Sequence, residues 1–461
     1  MRQLSITTQR PSALAPHIEW PEPDQRAGSP RSLGGAWVGV LVAPGTIITG
    51  IFAAGGDSGP GFLWAVLGLA IGILAGCLGV AWLATYGPPW GLGTMFVGAL
   101  AFGRANIVPV VALIISLFFY NALDDIFGAQ SIHDAIGVPI TTMIVAVFVL
   151  ELVVVAVGER LMRIGGAVMT VIVAVLVLLM IVGIARQGIA PSAAAPMSFS
   201  ILEGVLRATA LGLSLSITWS VQAADLSRTL PAPAPRGSVF RWTYAGMVVP
   251  LLLLTSLGAY ISDGMATADP LGRIGAAIGN HDLAVTMLLL LCLSFALING
   301  LNDYSAGLAL QDAGVRVHRK LVSLGVAVVG LALAFVLTMG DNSSRVSDII
   351  VATGYYTVCW FGVIAVELVL RRHEERPWEI PAGAPLAAVL AFLGSLLIVI
   401  PFSATSIGNE LAMKGPVLSV IGSVPRHLTH GGGLGYEAGA VFSVVLYIVL
   451  RRLVVRRRAT A

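Results

Sequence analysis

The chain has 461 residues, 57% of them hydrophobic and 11% charged, with a formal net charge of +3. A soluble domain carries roughly 25% charged residues, so a water-soluble globular protein is excluded, and so small a positive charge gives no argument for a nucleic-acid partner. Cys77, Cys292 and Cys359 all fall inside apolar runs, which reads as inert buried thiols rather than a disulfide framework or a metal site.

Residues 1–35 are polar and proline-rich, with Pro21, Pro23 and Pro30, and contain no short apolar core of the secretory kind. They read as a largely disordered cytoplasmic tail. Apolar segments follow at Ala36–Ala54, Phe62–Thr85, Ile107–Ala129, Val138–Val157, Gly165–Ala185 and Ile201–Asp225. They continue at Thr243–Ile261, Leu283–Gln311, Leu321–Met339, Ile349–Leu370, Leu386–Pro401 and Ala438–Leu450. Most approach the ~20 residues that cross a hydrocarbon core. The runs are continuous rather than alternating, so they predict helices, which satisfy their own backbone groups in lipid. The weaker stretch Trp90–Gly103 reads as a re-entrant or interfacial helix.

Lys and Arg concentrate in cytoplasmic loops. With the N-terminus inside, all of the 27 Lys and Arg fall on the inner side except Arg186, Arg207, Arg273, Arg345, Lys414 and Arg426. That alternation requires an even number of spans, about twelve, with both ends cytoplasmic in the inner membrane. Residues 451–461 form a basic C-terminal tail.

A many-span chain without a large soluble domain suits a secondary transporter, and no Walker A pattern is present. Carrier folds commonly bind substrate where helices of inverted repeats are broken at mid-membrane. The first span carries such a signal at Ala43-Pro44-Gly45-Thr46, since Pro44 lacks a backbone donor and Gly45 tolerates unusual dihedrals. With five-helix repeats the sixth span is its counterpart. It offers Gly212, Ser214, Ser216, Thr218 and Ser220 but no proline.

Ionisable residues inside spans by default mark a functional pathway. Here they are Asp124 and Asp125 in the third span, Glu151 in the fourth, Asp225 closing the sixth, Asp303 in the eighth and Glu367 in the tenth. Tyr120 and Asp124 are four apart and share a helix face; an aromatic wall beside a hydrogen-bonding group suits a flat heteroaromatic solute. Asp125 points about 100° away and is not assigned to that site. Trp219 at mid-depth serves packing as readily as binding. Asp225 and Arg228 are expected to pair as a gating or structural contact at the inner face. Asn299 and Asn302, three apart, each offer donor and acceptor, to a solute or to a neighbouring helix. Glu151 reads equally as a protonatable carboxyl or as the partner of a neighbouring polar group.

Several segments carry a resemblance. The entry Pro21–Leu33 with Trp37 is one, and Thr218-Trp219-Ser220-Val221-Gln222-Ala223-Ala224-Asp225-Leu226-Ser227-Arg228 is another. So are Asn299-x-x-Asn302-x-Tyr304-Ser305 with Leu308 and Leu310, Ala101-Phe102-Gly103-Arg104, and Gly354–Arg372. Together they resemble the nucleobase–cation-symport-1 family, in its purine–cytosine permease branch. The resemblance implies an all-α membrane fold, a leucine-transporter-like core of five plus five inverted-repeat helices over residues 36–372, with two further helices over 373–450. It implies cation-driven uptake of purines, cytosine or relatives such as allantoin, hydantoins or pyridoxine. It places Tyr120 at the family's third-helix stacking aromatic and Asp124 at the amide that reads the ring edge. Trp219 falls on the sixth-helix aromatic, and Asn299 and Asn302 on the eighth-helix amides. Pro44, Gly45, Thr46 and Gln222 complete the expected substrate-binding set.

The chain departs from the pattern in ways that bear on coupling. Val40 and Leu41 stand where the branch has a polar Asn, and Ala296-Leu297-Ile298 replaces the hydroxyls of sodium-coupled members. Aliphatic side chains supply no oxygen to Na⁺, so H⁺ is the expected coupling ion, with Asp124 and Glu151 as candidate proton carriers and no cofactor. An acceptor-only carboxylate favours a substrate edge rich in N–H donors. The expected protein is therefore a proton-coupled importer of a nucleobase-like heterocycle, acting as a monomer or loose oligomer. Its rivals are a carrier of the same fold for another solute such as an amino acid, Na⁺ coupling, a membrane-embedded enzyme, and a receptor or scaffold without transport. Against the enzyme, the histidines all lie in loops or tails, so no catalytic set converges inside the membrane.

Overall fold

Long apolar runs with no competing strand pattern leave helices as the only regular structure. The computed structural model describes residues 26–55, 59–157, 159–262, 269–316, 318–339, 343–371, 380–429 and 432–458. In chain order the helices are α1 (Arg31–Leu41), α2 (Pro44–Ala54), α3 (Phe62–Ala84), α4 (Gly87–Trp90), α5 (Thr94–Phe102), α6 (Ile107–Ile136) and α7 (Ile140–Val157). Then come α8 (Glu159–Gln187), α9 (Phe199–Ile217), α10 (Ala223–Ser227), α11 (Arg236–Ser262), α12 (Pro270–Ile278) and α13 (His281–Asp312). The remainder are α14 (Arg319–Thr338), α15 (Ser343–Arg371), α16 (Ala384–Phe402), α17 (Ser406–Ala412), α18 (Ser423–Leu428) and α19 (Gly435–Arg458). By length and hydropathy, 10 of these stretches can cross a membrane, and the bent pair α1–α2 brings the number to 11. Helix α19, packed along α16 and α15, is the twelfth long helix. On α3 the exposed side chains Leu63, Leu67, Ile71, Leu74 and Leu78 recur every three or four residues and form a lipid-facing stripe.

Some sequence expectations shift. The first helix begins at Arg31, five residues into the expected tail, because Leu33 and Trp37 are buried against the core. Most of that tail, residues 1–25, lies outside the described residues. Helix α19 continues to Arg458 through what was read as a C-terminal tail. The stretch around Trp90–Gly103 does not lie at a surface. All nine residues of α5 are buried, and it packs against α10, α15 and α16.

Two broken helices set the plan. Between α1 and α2 the chain turns by 65°. Val42 leaves the helical region (φ −76°, ψ 76°), and Pro44 occupies the first turn of α2, where its missing N–H costs nothing. The Thr46 hydroxyl donates to Leu41 O at 2.9 Å, stitching the two halves together. Five spans later, α9 and α10 are separated by a 3-10 segment, Thr218–Gln222. The sixth span is thus interrupted where the sequence showed hydroxyls but no proline.

Cross-packing follows the same five-helix shift. Helix α3 lies along α9, and its counterpart α11 lies along α2; α6 packs on α14, and correspondingly α13 on α7. The core thus divides into two groups, α1–α2, α3, α9 and α11 on one side and α6, α7, α13 and α14 on the other. The first group closes through glycine. A Cβ on Gly72 would collide with Thr209 O of α9, and one on Gly50 with Thr255 O of α11.

At the other end of α15, Glu367 accepts from Arg371 Nε at 2.5 Å, Arg451 Nε at 2.8 Å and the Tyr447 hydroxyl at 2.8 Å. Arg371 also donates to Leu100 O of α5 at 3.1 Å. This buried ionic knot joins α5, α15 and α19.

The glycine contacts give a stability contrast. Gly50→Ala drives a methyl into backbone and is expected to cost roughly 1–3 kcal/mol, read as a lower melting temperature in detergent. At Gly45 a Cβ meets nothing within 4 Å, so Gly45→Ala leaves the melting temperature unchanged.

Candidate functional site

Helix α6 carries two i, i+4 pairs on adjacent faces: Tyr120 with Asp124, and Asn121 with Asp125. The two faces do different things. Tyr120 and Asp124 are half-buried although they lie mid-span, whereas Asn121 and Asp125 are fully buried.

The Tyr120 hydroxyl is directed at the hydroxyls of Thr353 on α15, Ser214 on α9 and Thr218 in the 3-10 segment. That brings it beside the sixth-span break, one residue from Trp219. Trp219 is half-buried and meets Trp37 of α1 edge to face, with ring centroids 6.1 Å apart and planes at 86°. Thr218 donates to Ser214 O at 2.8 Å, which ties the 3-10 turn to α9. Among the described residues neither the Asp124 carboxyl nor the Gln222 amide has a hydrogen-bond partner, and both remain accessible. Helix α2 also packs on α9, and a Cβ added at Gly45 in its first turn meets nothing within 4 Å. The Tyr120 hydroxyl thus reaches the sixth-span break that carries Trp219, and Asp124 and Gln222 are uncommitted polar groups on these two elements.

The eighth-helix amides are placed differently from the sequence expectation. Asn299 is fully buried, and its Nδ2 donates to Asn121 O at 3.1 Å and Asp125 Oδ1 at 3.1 Å, and is 3.5 Å from Glu151 Oε2. Asn302 Nδ2 donates to Asn121 Oδ1 at 3.2 Å. Both amides bind the back of α6 rather than the Tyr120 face. Lipid leaves an unpaired amide no solvent, so the interhelical bond wins in this conformation. Glu151, open on the sequence between proton carrier and polar partner, is fully buried in the same network, where Asn121 Nδ2 bridges Glu151 Oε1 at 3.2 Å and Asp303 Oδ1 at 2.7 Å.

The expected Asp225–Arg228 pair is not formed. Asp225 Oδ1 accepts the Thr94 amide at 2.7 Å, and Thr94 Oγ1 accepts the Ala224 amide at 2.7 Å, so the carboxyl sits on the N-terminal end of α5. The unsatisfied amides of a helix start attract a carboxylate strongly, and Arg228 acts on it only at a distance.

Sequence reasoning missed Asn121, the centre of the network, and Thr353, which with Ser214 lies beside the Tyr120 hydroxyl. The available signal was the repeated i, i+4 spacing, Asn121–Asp125 in one span and Asn299–Asp303 in another. Arg207, on the outer side in the sequence reading, lies near the start of α9 and donates to Phe52 O at 2.7 Å, capping α2.

No family model matches the chain. It is 22% identical to the putative purine-cytosine permease YxlA of Bacillus subtilis (strain 168), over 96% of each chain. It is 23% identical to the purine-cytosine permease fcyB of Emericella nidulans, over 94% of this chain and 86% of that one. Among solved structures it resembles Mhp1, a nucleobase-cation-symport-1 family transporter, closed with bromovinylhydantoin bound: TM-score 0.67, 15% identity, 96% of each chain. Inward-facing Mhp1 gives TM-score 0.68 at 14% identity, over 96% of this chain and 94% of that one. A manganese transporter of Eremococcus coleocola gives TM-score 0.52 at 14% identity, over 95% and 99%. The resemblance read from the motifs is therefore met again in whole-chain sequence and in fold. The architecture is the five-plus-five leucine-transporter arrangement with two added helices, and these relatives are permeases or transporters, not enzymes.

The Asp225 contact yields a paired expectation. Asp225→Ala leaves the buried start of α5 without its acceptor and is expected to lower stability by about 2 kcal/mol. Arg228→Ala, which breaks no ion pair with Asp225, changes it by less than half as much. Thermal unfolding of the two purified variants separates the readings.

Proposed function

We propose that this chain is a secondary active transporter that imports a nucleobase or related small heterocycle by proton symport with alternating access. The observation that carries the reading is the Tyr120–Asp124 face: a half-buried, unpartnered carboxyl at mid-membrane, one turn from an aromatic ring whose hydroxyl lies at the sixth-span break. A flat ring slides between apolar aromatic faces, and the carboxylate, which only accepts, selects a ring edge bearing N–H groups. Purines, cytosine, allantoin and hydantoins carry such edges. The names of the relatives, and the bromovinylhydantoin bound to Mhp1, point to the same class.

Trp219 and Gln222 on the sixth span and Pro44, Gly45 and Thr46 on the first complete the pocket in this proposal. Asn299 and Asn302 join it if α13 turns during transport; in this conformation they brace α6. The grouping of helices supports alternating access. The pocket lies between two four-helix groups, each closed on itself, so rocking one against the other exposes it to either side in turn. Proton coupling is supported by the aliphatic Val40, Leu41 and Ala296–Ile298, which offer Na⁺ no oxygen, and by the mid-span carboxyl Glu151. The charge bias places the chain in the cytoplasmic membrane with both ends inside, as a monomer or loose oligomer requiring no cofactor.

The test is uptake of radiolabelled hypoxanthine, adenine, cytosine, uracil, allantoin and hydantoin in a transport-deficient host, with proton and sodium gradients collapsed separately. Asp124→Asn should change the preference among these solutes by about tenfold or more. Trp219→Ala should abolish uptake while membrane insertion stays intact. Wild-type kinetics in both variants would remove the proposed pocket.

A further inference from the structure

Behind the pocket, three carboxyls from three helices meet in the membrane interior: Asp125 on α6, Glu151 on α7 and Asp303 on α13, each fully buried. No Lys, Arg or His among the described residues forms an ion pair with any of them. Their partners are amides. Asn121 Nδ2 spans Glu151 and Asp303, and Asn299 Nδ2 reaches Asp125 and Glu151. One amide nitrogen, Asn121 Nδ2, thus lies within hydrogen-bonding distance of both Glu151 Oε1 and Asp303 Oδ1, so these two carboxyls flank it. Carboxylates gathered this closely with no cation beside them repel in a dry interior, and a proton held by one of them relieves that repulsion.

Three oxygens of the cluster have no partner: Asp125 Oδ2, Asp303 Oδ2 and Asn299 Oδ1. The Asn299 oxygen is a neutral acceptor held inside the cluster, and it calls for a donor. A purely structural network would be closed. This one leaves three acceptor oxygens that a proton can reach. A metal ion is a poor fit, since the amides aim N–H groups at the carboxyls. Among the described residues no set of three or more His, Cys, Asp or Glu is arranged to hold one.

We infer that the Asp125–Glu151–Asp303 cluster is where the coupling proton rides, held between Glu151 and Asp303, and that Asp124 reads the substrate instead of carrying the proton. This rests on the transport reading above. The step is a simple transfer: a carboxylate oxygen of the pair takes H⁺ from the outer solution and returns it to the inner one, with no other bond changed. The link to substrate is α6 itself. Asn121 and Asp125 directly follow Tyr120 and Asp124, so a turn of α6 under a bound ring moves the bridging amide between Glu151 and Asp303.

The other groups near the cluster are few. Asp124 is on α6 and the Cys292 thiol is on α13. Helix α14 brings the Ser323 hydroxyl, which donates to Asp303 O at 3.0 Å. At its inner end Arg319 lies over the Tyr304 ring at 4.3 Å. The described buried side chains of α8 are apolar: Met169, Val173, Leu176 and Met180.

The decisive experiment uses the full chain in liposomes, with hypoxanthine and cytosine as probes. Uptake driven by an imposed pH gradient is compared with counterflow exchange, which needs no gradient. In Glu151→Gln and Asp303→Asn, gradient-driven accumulation should fall about tenfold or more while counterflow stays within about threefold. In Asp124→Asn the split should reverse: altered preference in counterflow, with gradient drive retained for whichever probe it still exchanges. Infrared spectra of the purified protein give a reading that needs neither transport nor folded variants. The wild type should show a protonated-carboxyl band at neutral pH that shifts when hypoxanthine or cytosine is added. Gradient-driven accumulation persisting in Glu151→Gln or Asp303→Asn overturns the inference, as does absence of that band. A wild type that ignores the pH gradient and responds to sodium overturns proton symport itself, a distinct result because it appears without any variant.

Discussion

Carboxylates cannot share a dry interior unless protons or amides separate their charges. Two unit charges about 5 Å apart repel by roughly 3 kcal/mol even at an effective dielectric of 20, and three helices here bring one carboxyl each to a common point. The Asn121 and Asn299 side chains make that meeting tolerable. Each places one amide nitrogen between two acidic groups, and each anchors α6 to α13 in doing so. Separating α6 from α13 or α7 would strand hydrogen-bonding groups in lipid, so this four-helix group behaves as one body.

The other four-helix group is joined by an opposite device. Where α3 meets α9 and α2 meets α11, glycines let the backbones touch, with no room for a single added carbon. One group is held by polar bonds and the other by the absence of side chains. Between them lie the softer elements: the turned first span, the 3-10 interruption of the sixth, and α15, which touches both groups. Motion concentrates where hydrogen-bond ladders are already incomplete.

Much of this was legible in the sequence. Hydropathy placed the spans because the lipid-facing stripe and the buried faces are both apolar, and Pro44–Gly45 marked the first break because no other pair so plainly removes a donor and frees a dihedral. The Tyr120–Asp124 face was readable from spacing alone. What remained hidden depends on contact between helices far apart in sequence. Asp125 was set aside because it points away from Asp124, yet that direction leads to Asn299 and Glu151. Asn299 and Asn302 looked free to meet a solute because nothing within α13 competes for them; the competitor was Asn121 on another helix. Asp225 looked destined for Arg228, three residues on, until tertiary packing brought a helix start closer. The sixth-span interruption carries no proline, and only its neighbours reveal it.

The knot around Glu367 bears on how the chain is made. Helix α15 emerges with Glu367 and Arg371 already adjacent, a nearly neutral couple that the bilayer accepts. Arg451 arrives only at the far end of α19, and its guanidinium then finds a carboxylate already waiting inside the assembled protein. Without Tyr447 and Arg451 the seam beside α15 and α16 would lie open to lipid. Helix α19 thus acts as a keystone: the seam closes when its basic end meets the acid already held inside α15.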